Sequence, residues 1–320
     1  MVKINYKNIF KNNELLVAFI VLIVFFGIGS DRFLCIENIT NILRNSSITG
    51  VLALGLVLVM INGDFDLSFA SAVGLFNLVG LVLIDRGMNM WIVFLLMIIG
   101  GILWSLFNSF LVVKVGIHAF IATIATWNIS KGLIYWINKG RTFYGNYPDN
   151  LVIIGRRTVF GVIPINVFIF IVIAVLIYIL ANKTKIGRHL YAIGSNKQAA
   201  EYVGINSNKY RYLAYILHGF CIGIASIMLC SKLASGPASA GDGYQMTVIA
   251  AVFLGATVFK LGFVNVGGGI LGILILTVIE NGLIMLDVPF YFKYIVQAII
   301  ILLSVSLIFL KSKGQGPKIF

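Results

Sequence analysis

Residues 91–114 read WIVFLLMIIGGILWSLFNSFLVVK, and this stretch decides the class of fold. It contains one charged residue, Lys114, which stands at its end. A helix that crosses the hydrocarbon core of a bilayer needs about 20 consecutive, mostly apolar residues. Because the stretch has that length and almost no charge, it predicts a transmembrane helix.

Similar apolar runs recur from one end of the chain to the other. Of the 320 residues, 60% are hydrophobic and only 11% are charged, whereas a soluble domain carries about 25% charged residues. The charged residues are too few to cover a water-facing surface, and most of the chain must therefore face lipid. We predict an all-α fold, a polytopic membrane helix bundle of about ten transmembrane helices in a single domain over 1–320, with the runs 13–30, 46–62, 67–85, 91–114, 117–137, 164–182, 209–232, 245–261, 264–286 and 291–310.

The net charge of +13 comes from 24 Lys and Arg against 11 Asp and Glu. A basic excess often indicates nucleic-acid binding, but here the basic residues stand singly or in small groups between apolar runs. That distribution is typical of short cytoplasmic loops, so we expect membrane lipid and no nucleic acid as a partner. An even number of spans and a basic start then place both termini and the connection 183–208 in the cytoplasm. The connection 138–163 falls outside, although four basic residues there agree only partly with this orientation.

Several kinds of chemistry find no support in the sequence. The nucleotide-binding loop needs Lys directly after Gly, and the dipeptide Gly-Lys does not occur. Gly267, Gly269 and Gly272 fit a dinucleotide pattern, but they lie inside an apolar run, where Gly268 and Gly272 favour close helix packing instead. The His and Cys residues lack metal-ligand spacing. We therefore expect no enzyme activity, no metal and no cofactor bound by this chain, and any ATP hydrolysis must come from a partner.

Two polar features interrupt the apolar runs. The first is NGDFDLS at 62–68, where Asp66 and Ser68 can cap the helix that follows. This turn is either a capping turn at the membrane surface or part of a substrate path, because irregular backbone at membrane depth must be buried or line a cavity. The second is Glu280 with Asn281 inside the run 264–286. An ionisable residue there is either paired near the membrane edge or functional. These four residues are our candidates for the translocation path.

The connection 183–208 begins KTKIGRHLYAIGSNKQAAEYVGIN and is polar and basic. Residues 196–203 can form a short helix, with Ser195 or Asn196 as N-cap and Gly204 as the C-terminal stop. Such a helix is either a loop ornament or a docking element for a cytoplasmic partner.

This connection resembles a signature of the ribose-type (branched-chain/monosaccharide) family of ABC importer permeases. The matching positions are Thr184, Gly187, Arg188, Tyr191–Gly194, Ala199, Ala200, Gly204 and Ile205. The turn at 62–68 resembles the family's gly-x-x-asp-leu-ser element, and the similarity covers most of 45–310. The chain departs from the family pattern in two places. Asp64 stands where the family usually has a glycine. Ala256 and Gly262-Phe263-Val264 stand in place of glycine-rich motifs that include a basic residue.

The resemblance implies a multi-pass permease of the cytoplasmic (inner) membrane that translocates a ribose-like pentose, a hexose or a related polyol. It also implies a homodimer, an extracytoplasmic solute-binding protein, and a cytoplasmic ATP-binding-cassette ATPase that docks on Asn196–Gly204. In that case Asn196, Ala199, Ala200 and Gly204 couple the chain to the ATPase. The competing interpretation is an ion-coupled secondary transporter that uses intramembrane carboxylates, namely Glu280, Asp64 and Asp66. An intramembrane enzyme is disfavoured because no catalytic arrangement is visible.

Overall fold

The computed structural model describes residues 14–159, 161, 163–258 and 262–311. The regular secondary structure of these residues is helical apart from one pair of two-residue strands, β1 Thr158–Val159 and β2 Ile163–Pro164, which are antiparallel, and an isolated bridge between Phe143 and Gly236. A π-helical stretch, Phe110–Val115, extends the fourth helix, and a 3₁₀ turn, Asp149–Val152, precedes the sixth. The α-helices are α1 Glu14–Gly29, α2 Ile36–Ile61, α3 Phe69–Asp85, α4 Met90–Ser109, α5 Ala119–Asn138, α6 Ile153–Arg156, α7 Ile165–Lys183, α8 Lys185–Ser195, α9 Lys197–Tyr202, α10 Ser207–Leu233, α11 Asp242–Gly255, α12 Val266–Met285 and α13 Phe292–Lys311.

Six of the described helices are long and apolar enough to cross a membrane: α2, α4 with its π-helical extension, α7, α10, α12 and α13. Two shorter apolar helices, Leu15–Gly29 and Phe69–Asp85, add to them. The prediction of an all-α membrane bundle is therefore confirmed, whereas length and composition support fewer spans than the ten predicted. The difference arises because α5 carries several polar residues in its middle and α11 has only 14 residues.

The helices differ in how much of their surface faces the rest of the protein. The most apolar windows of α2 and α10 are 78% and 72% buried, whereas those of α4 and α13 are 28% and 17% buried. The outer helices expose large apolar side chains such as Leu103, Leu176 and Leu302. Apolar surface on this scale indicates a lipid environment. Helices α2 and α10 therefore form the centre of the bundle, and α4, α7 and α13 face lipid.

Small residues allow the closest helix contacts. A Cβ added at Gly219 of α10 would overlap the backbone of Gly101 in α4. A Cβ at Gly268 would overlap Gly255 of α11, and one at Gly272 would overlap the backbone of Ala251. The prediction that Gly268 and Gly272 serve close helix packing is confirmed.

Contacts between loops define two ends of the bundle. At one end, the 183–208 connection packs against the last turn of α2, where a Cβ at Gly194 would overlap the carbonyl oxygen of Ile61. At the opposite end, the 139–164 loop bonds to the end of α10, with Ser231 Oγ donating to Leu151 O at 2.5 Å. These are called the 183–208 end and the 139–164 end below.

Candidate functional site

The turn between α2 and α3 places the completely buried Asp66 in a polar cluster. Asp66 Oδ1 accepts from the backbone N of Ser68 at 2.7 Å and from Ser68 Oγ at 2.8 Å. Its Oδ2 accepts from Asn108 Nδ2 at 3.2 Å and lies 3.5 Å from His218 Nε2. Trp104 Nε1 donates to Ser68 Oγ at 3.1 Å. These five residues, the Asp66 cluster, join the start of α3 to α4 and α10.

The Asp66 cluster satisfies a carboxylate that burial would otherwise disfavour. Asp66 Oδ1 accepts the N–H of Ser68, which is the N-cap residue of α3, so this bond closes the turn and does not cap a free N–H inside the helix. The Ser68 side chain makes no capping bond either, because its Oγ bonds to Asp66, so the predicted capping role of these two side chains is wrong. Asp66 and Ser68 are both completely buried, so neither side chain faces a groove. No local signal in the sequence linked Trp104, Asn108 or His218 to this turn.

Asp64, two residues earlier, faces the other way and forms a two-point ion pair. Arg211 Nε donates to Asp64 Oδ2 at 2.8 Å, and Arg211 Nη2 donates to Asp64 Oδ1 at 2.6 Å. The side chains are 9% exposed for Asp64 and 12% exposed for Arg211. Such a fork-to-fork arrangement fixes orientation as well as charge. The sequence showed Asp64 as a departure from the family pattern, but gave no signal that Arg211 was its partner.

The Asp64–Arg211 pair borders a groove of about 1070 Å³ that runs between helices. Its walls are α5, α11 and α13, and its floor is the π-helical end of α4 with the 62–68 turn. The lining residues are mostly apolar and include Phe65, Val112, His118, Phe120, Ile124, Trp127, Lys197, Gln245, Met246, Ile249, Phe253, Ile301 and Val305.

A second ion pair joins two walls of this groove nearer the 139–164 end. Lys131 Nζ bonds to the carboxylate of Asp242 and donates to the carbonyl oxygen of Ala238 at 3.3 Å. Lys131 lies one turn beyond Trp127 on α5, and Asp242 begins α11, one turn before Gln245. The groove is thus flanked by an ion pair at each end.

Glu280 lies in a hydrogen-bonded triad rather than near Asp66. Glu280 Oε1 accepts from Thr247 Oγ1 at 2.6 Å and from Gln297 Nε2 at 2.6 Å. Gln297 Nε2 also donates to Thr247 Oγ1 at 2.8 Å. The triad joins α12 to α11 and α13, which are two walls of the groove.

Asn281 points away from this triad, toward α2. Asn281 and Asn38 exchange reciprocal amide hydrogen bonds of 2.8 Å each, and Asn38 also donates to the carbonyl oxygen of Phe33 at 2.8 Å. None of these bonds connects Glu280 or Asn281 to Asp66 or Ser68. The four candidate path residues therefore occupy three separate places in the bundle.

The 183–208 connection contains two helices, α8 and α9. As predicted, α9 is short: its N-cap is Asn196, whose Oδ1 accepts from the backbone N of Ala199 at 3.0 Å. Gly204 has φ +84°, a left-handed conformation that ends helices and favours glycine. The helix boundaries predicted from local signals are confirmed within one residue.

The exposed face of α9 contains only one of the two alanines that the family resemblance assigned to ATPase coupling. Ala199 is exposed, but Ala200 is 4% exposed and points back toward the chain. Tyr202 and Val203 are 91% and 76% exposed. Apolar side chains that are almost fully exposed on a polar loop are typical of an interaction surface. Ala199, Tyr202 and Val203 form what we call the α9 surface.

Comparison with known proteins shows the family. The family described as branched-chain amino acid transport system / permease component matches residues 38–305. The ribose import permease protein RbsC of Haemophilus influenzae is 32% identical over 293 residues, which are 90% of this chain and 90% of that protein. The L-arabinose transport system permease protein AraH of Escherichia coli is 30% identical over 311 residues, 97% of this chain and 94% of that protein.

The xylose transport system permease protein XylH of Haemophilus influenzae is 28% identical over 352 aligned positions, 91% of this chain and 94% of that protein. No solved structure matches the chain. These relatives give no support to an ion-coupled secondary transporter. The resemblance inferred from the 183–208 and 62–68 motifs is confirmed: the chain is a multi-pass membrane transport subunit that belongs to the family of branched-chain amino acid transport system / permease components.

Proposed function

We propose that this chain is the membrane subunit of an ATP-driven importer that carries a monosaccharide, a pentose, hexose or related polyol, across the cytoplasmic membrane. The observation that carries the proposal is similarity over at least 90% of the chain to permeases named for ribose, L-arabinose and xylose. ATP hydrolysis belongs to a separate cytoplasmic ATPase subunit, and an extracytoplasmic solute-binding protein delivers the sugar.

The proposed topology has ten crossings, by α1–α5, α7 and α10–α13, with both chain ends in the cytoplasm. Support comes from loops that pack at alternating ends of the bundle, including Phe143 paired with Gly236 at the 139–164 end and Gly262 beside Ile308 near the other. Helices α3 and α11 are short because residues 62–68 and 234–241 fold between helices, where irregular backbone is tolerated. The terminal residues 1–13 and 312–320 lie outside the described part of the chain.

We assign the α9 surface as the docking site of the ATPase. Asn196 and Gly204 fix the start and end of α9, so they position this surface rather than contribute most of its contact area. Tyr202 and Val203 supply exposed apolar contact area, and Ala199 allows close approach. Ala200 anchors α9 to the chain from its buried side.

The groove between α5, α11 and α13 is the proposed translocation path, completed by a second copy of the chain. The candidate path residues act on it indirectly. Asp66 and Ser68 fix the turn at its floor, and Glu280 ties two of its walls together. Asn281 joins α12 to α2 and thereby holds the Glu280 triad against the centre of the bundle.

Reconstitution tests the proposal. The chain is purified with its ATPase, placed in proteoliposomes, and supplied with the loaded solute-binding protein. Uptake of labelled monosaccharide should require ATP and persist when ionophores collapse H⁺ and Na⁺ gradients. Uptake by the chain alone, driven by an ion gradient without ATP, would reject the proposal.

A further inference from the structure

The charged lining of the groove is concentrated at one place. Among the described lining residues, those with formal charge are Asp64, Lys197 and Arg211, and all three lie toward the 183–208 end. The walls beyond them are mostly aliphatic and aromatic, with Gln245 as a polar exception. Ligand sites of this kind usually have apolar walls and a few polar groups that fix the orientation of the ligand.

The Asp64–Arg211 pair leaves hydrogen-bonding capacity unused. A guanidinium has five N–H donors, and the two bonds to Asp64 occupy two of them. The described residues provide no further acceptor for Arg211 among the hydrogen bonds found. Each carboxylate oxygen of Asp64 also has a second lone-pair site. Donors and acceptors therefore lie side by side at the edge of an open groove.

Neighbouring hydroxyls of a sugar have the complementary chemistry. One hydroxyl can donate to Asp64 while the next accepts from Arg211, and both bonds involve a charged partner, which makes them stronger than neutral ones. Two aromatic rings line the same groove: Phe65, next to Asp64 in the sequence, is stacked with Phe253, with centroids 6.4 Å apart. Both rings line the groove and add apolar surface that can contact the C–H groups of a sugar.

We propose that Asp64 and Arg211 form a solute-contacting subsite that binds adjacent hydroxyls of a monosaccharide as it passes the 183–208 end of the groove. The inference rests on the proposal that the groove is the translocation path. It assigns to the permease itself a share of the discrimination between sugars, in addition to that of the solute-binding protein.

The test compares maximal uptake rates for ribose, xylose and arabinose, whose hydroxyls differ in configuration, with the binding protein saturated by each sugar. Asp64→Asn and Arg211→Lys should change the ratio of rates between two of the sugars by about tenfold, the effect of losing one hydrogen bond to a charged group. The matched control is Asp242→Asn, which breaks the other ion pair and should lower all three rates by the same factor.

A charge-swapped double variant separates the possible outcomes. The charge swap Asp64→Arg with Arg211→Asp restores the ion pair but exchanges donor and acceptor positions, so it should fold, copurify with the ATPase and still show an altered ratio. If every Asp64 and Arg211 variant keeps the wild-type ratio, the pair is structural and the subsite is rejected.

A thiol reagent applied to Gln245→Cys, with the unmodified chain as background, tests the groove separately. Blocked uptake with unchanged sugar ratios rejects the subsite and retains the path. Unblocked uptake rejects the path, and the subsite with it.

Discussion

Removal of one exposed tyrosine should weaken attachment of the ATPase. Tyr202 is 91% exposed at the end of α9, so truncating it breaks few contacts within the chain itself. If its ring is buried in the partner, Tyr202→Ala should cost about 2 kcal/mol of binding free energy, a typical value for a central interface tyrosine. That loss corresponds to about a thirtyfold weaker affinity.

The affinity of the ATPase for the permease in detergent or nanodiscs is the direct measurement. The control is Tyr144→Ala, because Tyr144 is also a highly exposed tyrosine, at 76%, but lies in the 139–164 loop. Tyr144→Ala should leave the affinity unchanged. Equal affinities for the wild type and Tyr202→Ala, with uptake intact, would refute the assignment of the α9 surface.

Other predictions follow from the same geometry. Ala199→Glu should yield a folded chain that no longer binds its ATPase. Ala200→Glu places a charge in a buried position and should lower the amount of folded chain. Identical behaviour of the two variants would contradict the orientation of α9. Asp66→Ala should reduce folded protein and uptake more than Asp64→Ala. Removing one member of a buried charged cluster costs about 3–5 kcal/mol of stability, whereas the partner of Asp64 borders the open groove. Thermal stability and uptake are the measurements, and equal uptake by Asp66→Ala and wild type would overturn this prediction. A cysteine at position 144 should react with an impermeant reagent outside intact cells, and cysteines at positions 5, 202 and 315 should not; labelling of any of these three would reject the topology.

Local signals in the sequence were sufficient for some elements and insufficient for others. Apolar runs located the helices, and Asn196 with Gly204 located α9, because caps and stops act within a few residues. The orientation of Ala200 could not be predicted, since it depends on how α9 packs against its neighbours. The partners of the carboxylates could not be predicted from the sequence either. Asp64 and Arg211 are 147 residues apart, and Glu280 accepts hydrogen bonds from Thr247 and Gln297 on other helices. Charge alone does not reveal which of several distant partners tertiary packing brings close.

The proposed docking helix has two physical connections to the Asp64–Arg211 pair. The first runs through α8, which follows the membrane helix α7 and packs by Gly194 against the end of α2, immediately before the turn that carries Asp64. The second runs through residues 203–206 into α10, whose second turn carries Arg211.

A displacement of α9 by the ATPase would thus act on Asp64 and Arg211 through separate elements. The two routes need not move by the same amount, because Asp64 sits on an irregular turn and Arg211 on a long central helix. Relative movement of the two routes would stretch a two-point ion pair whose geometry tolerates little change. With the subsite and the docking surface placed as we propose, the pair would respond both to solute in the groove and to movement of the ATPase, which is the property that coupling of hydrolysis to transport requires.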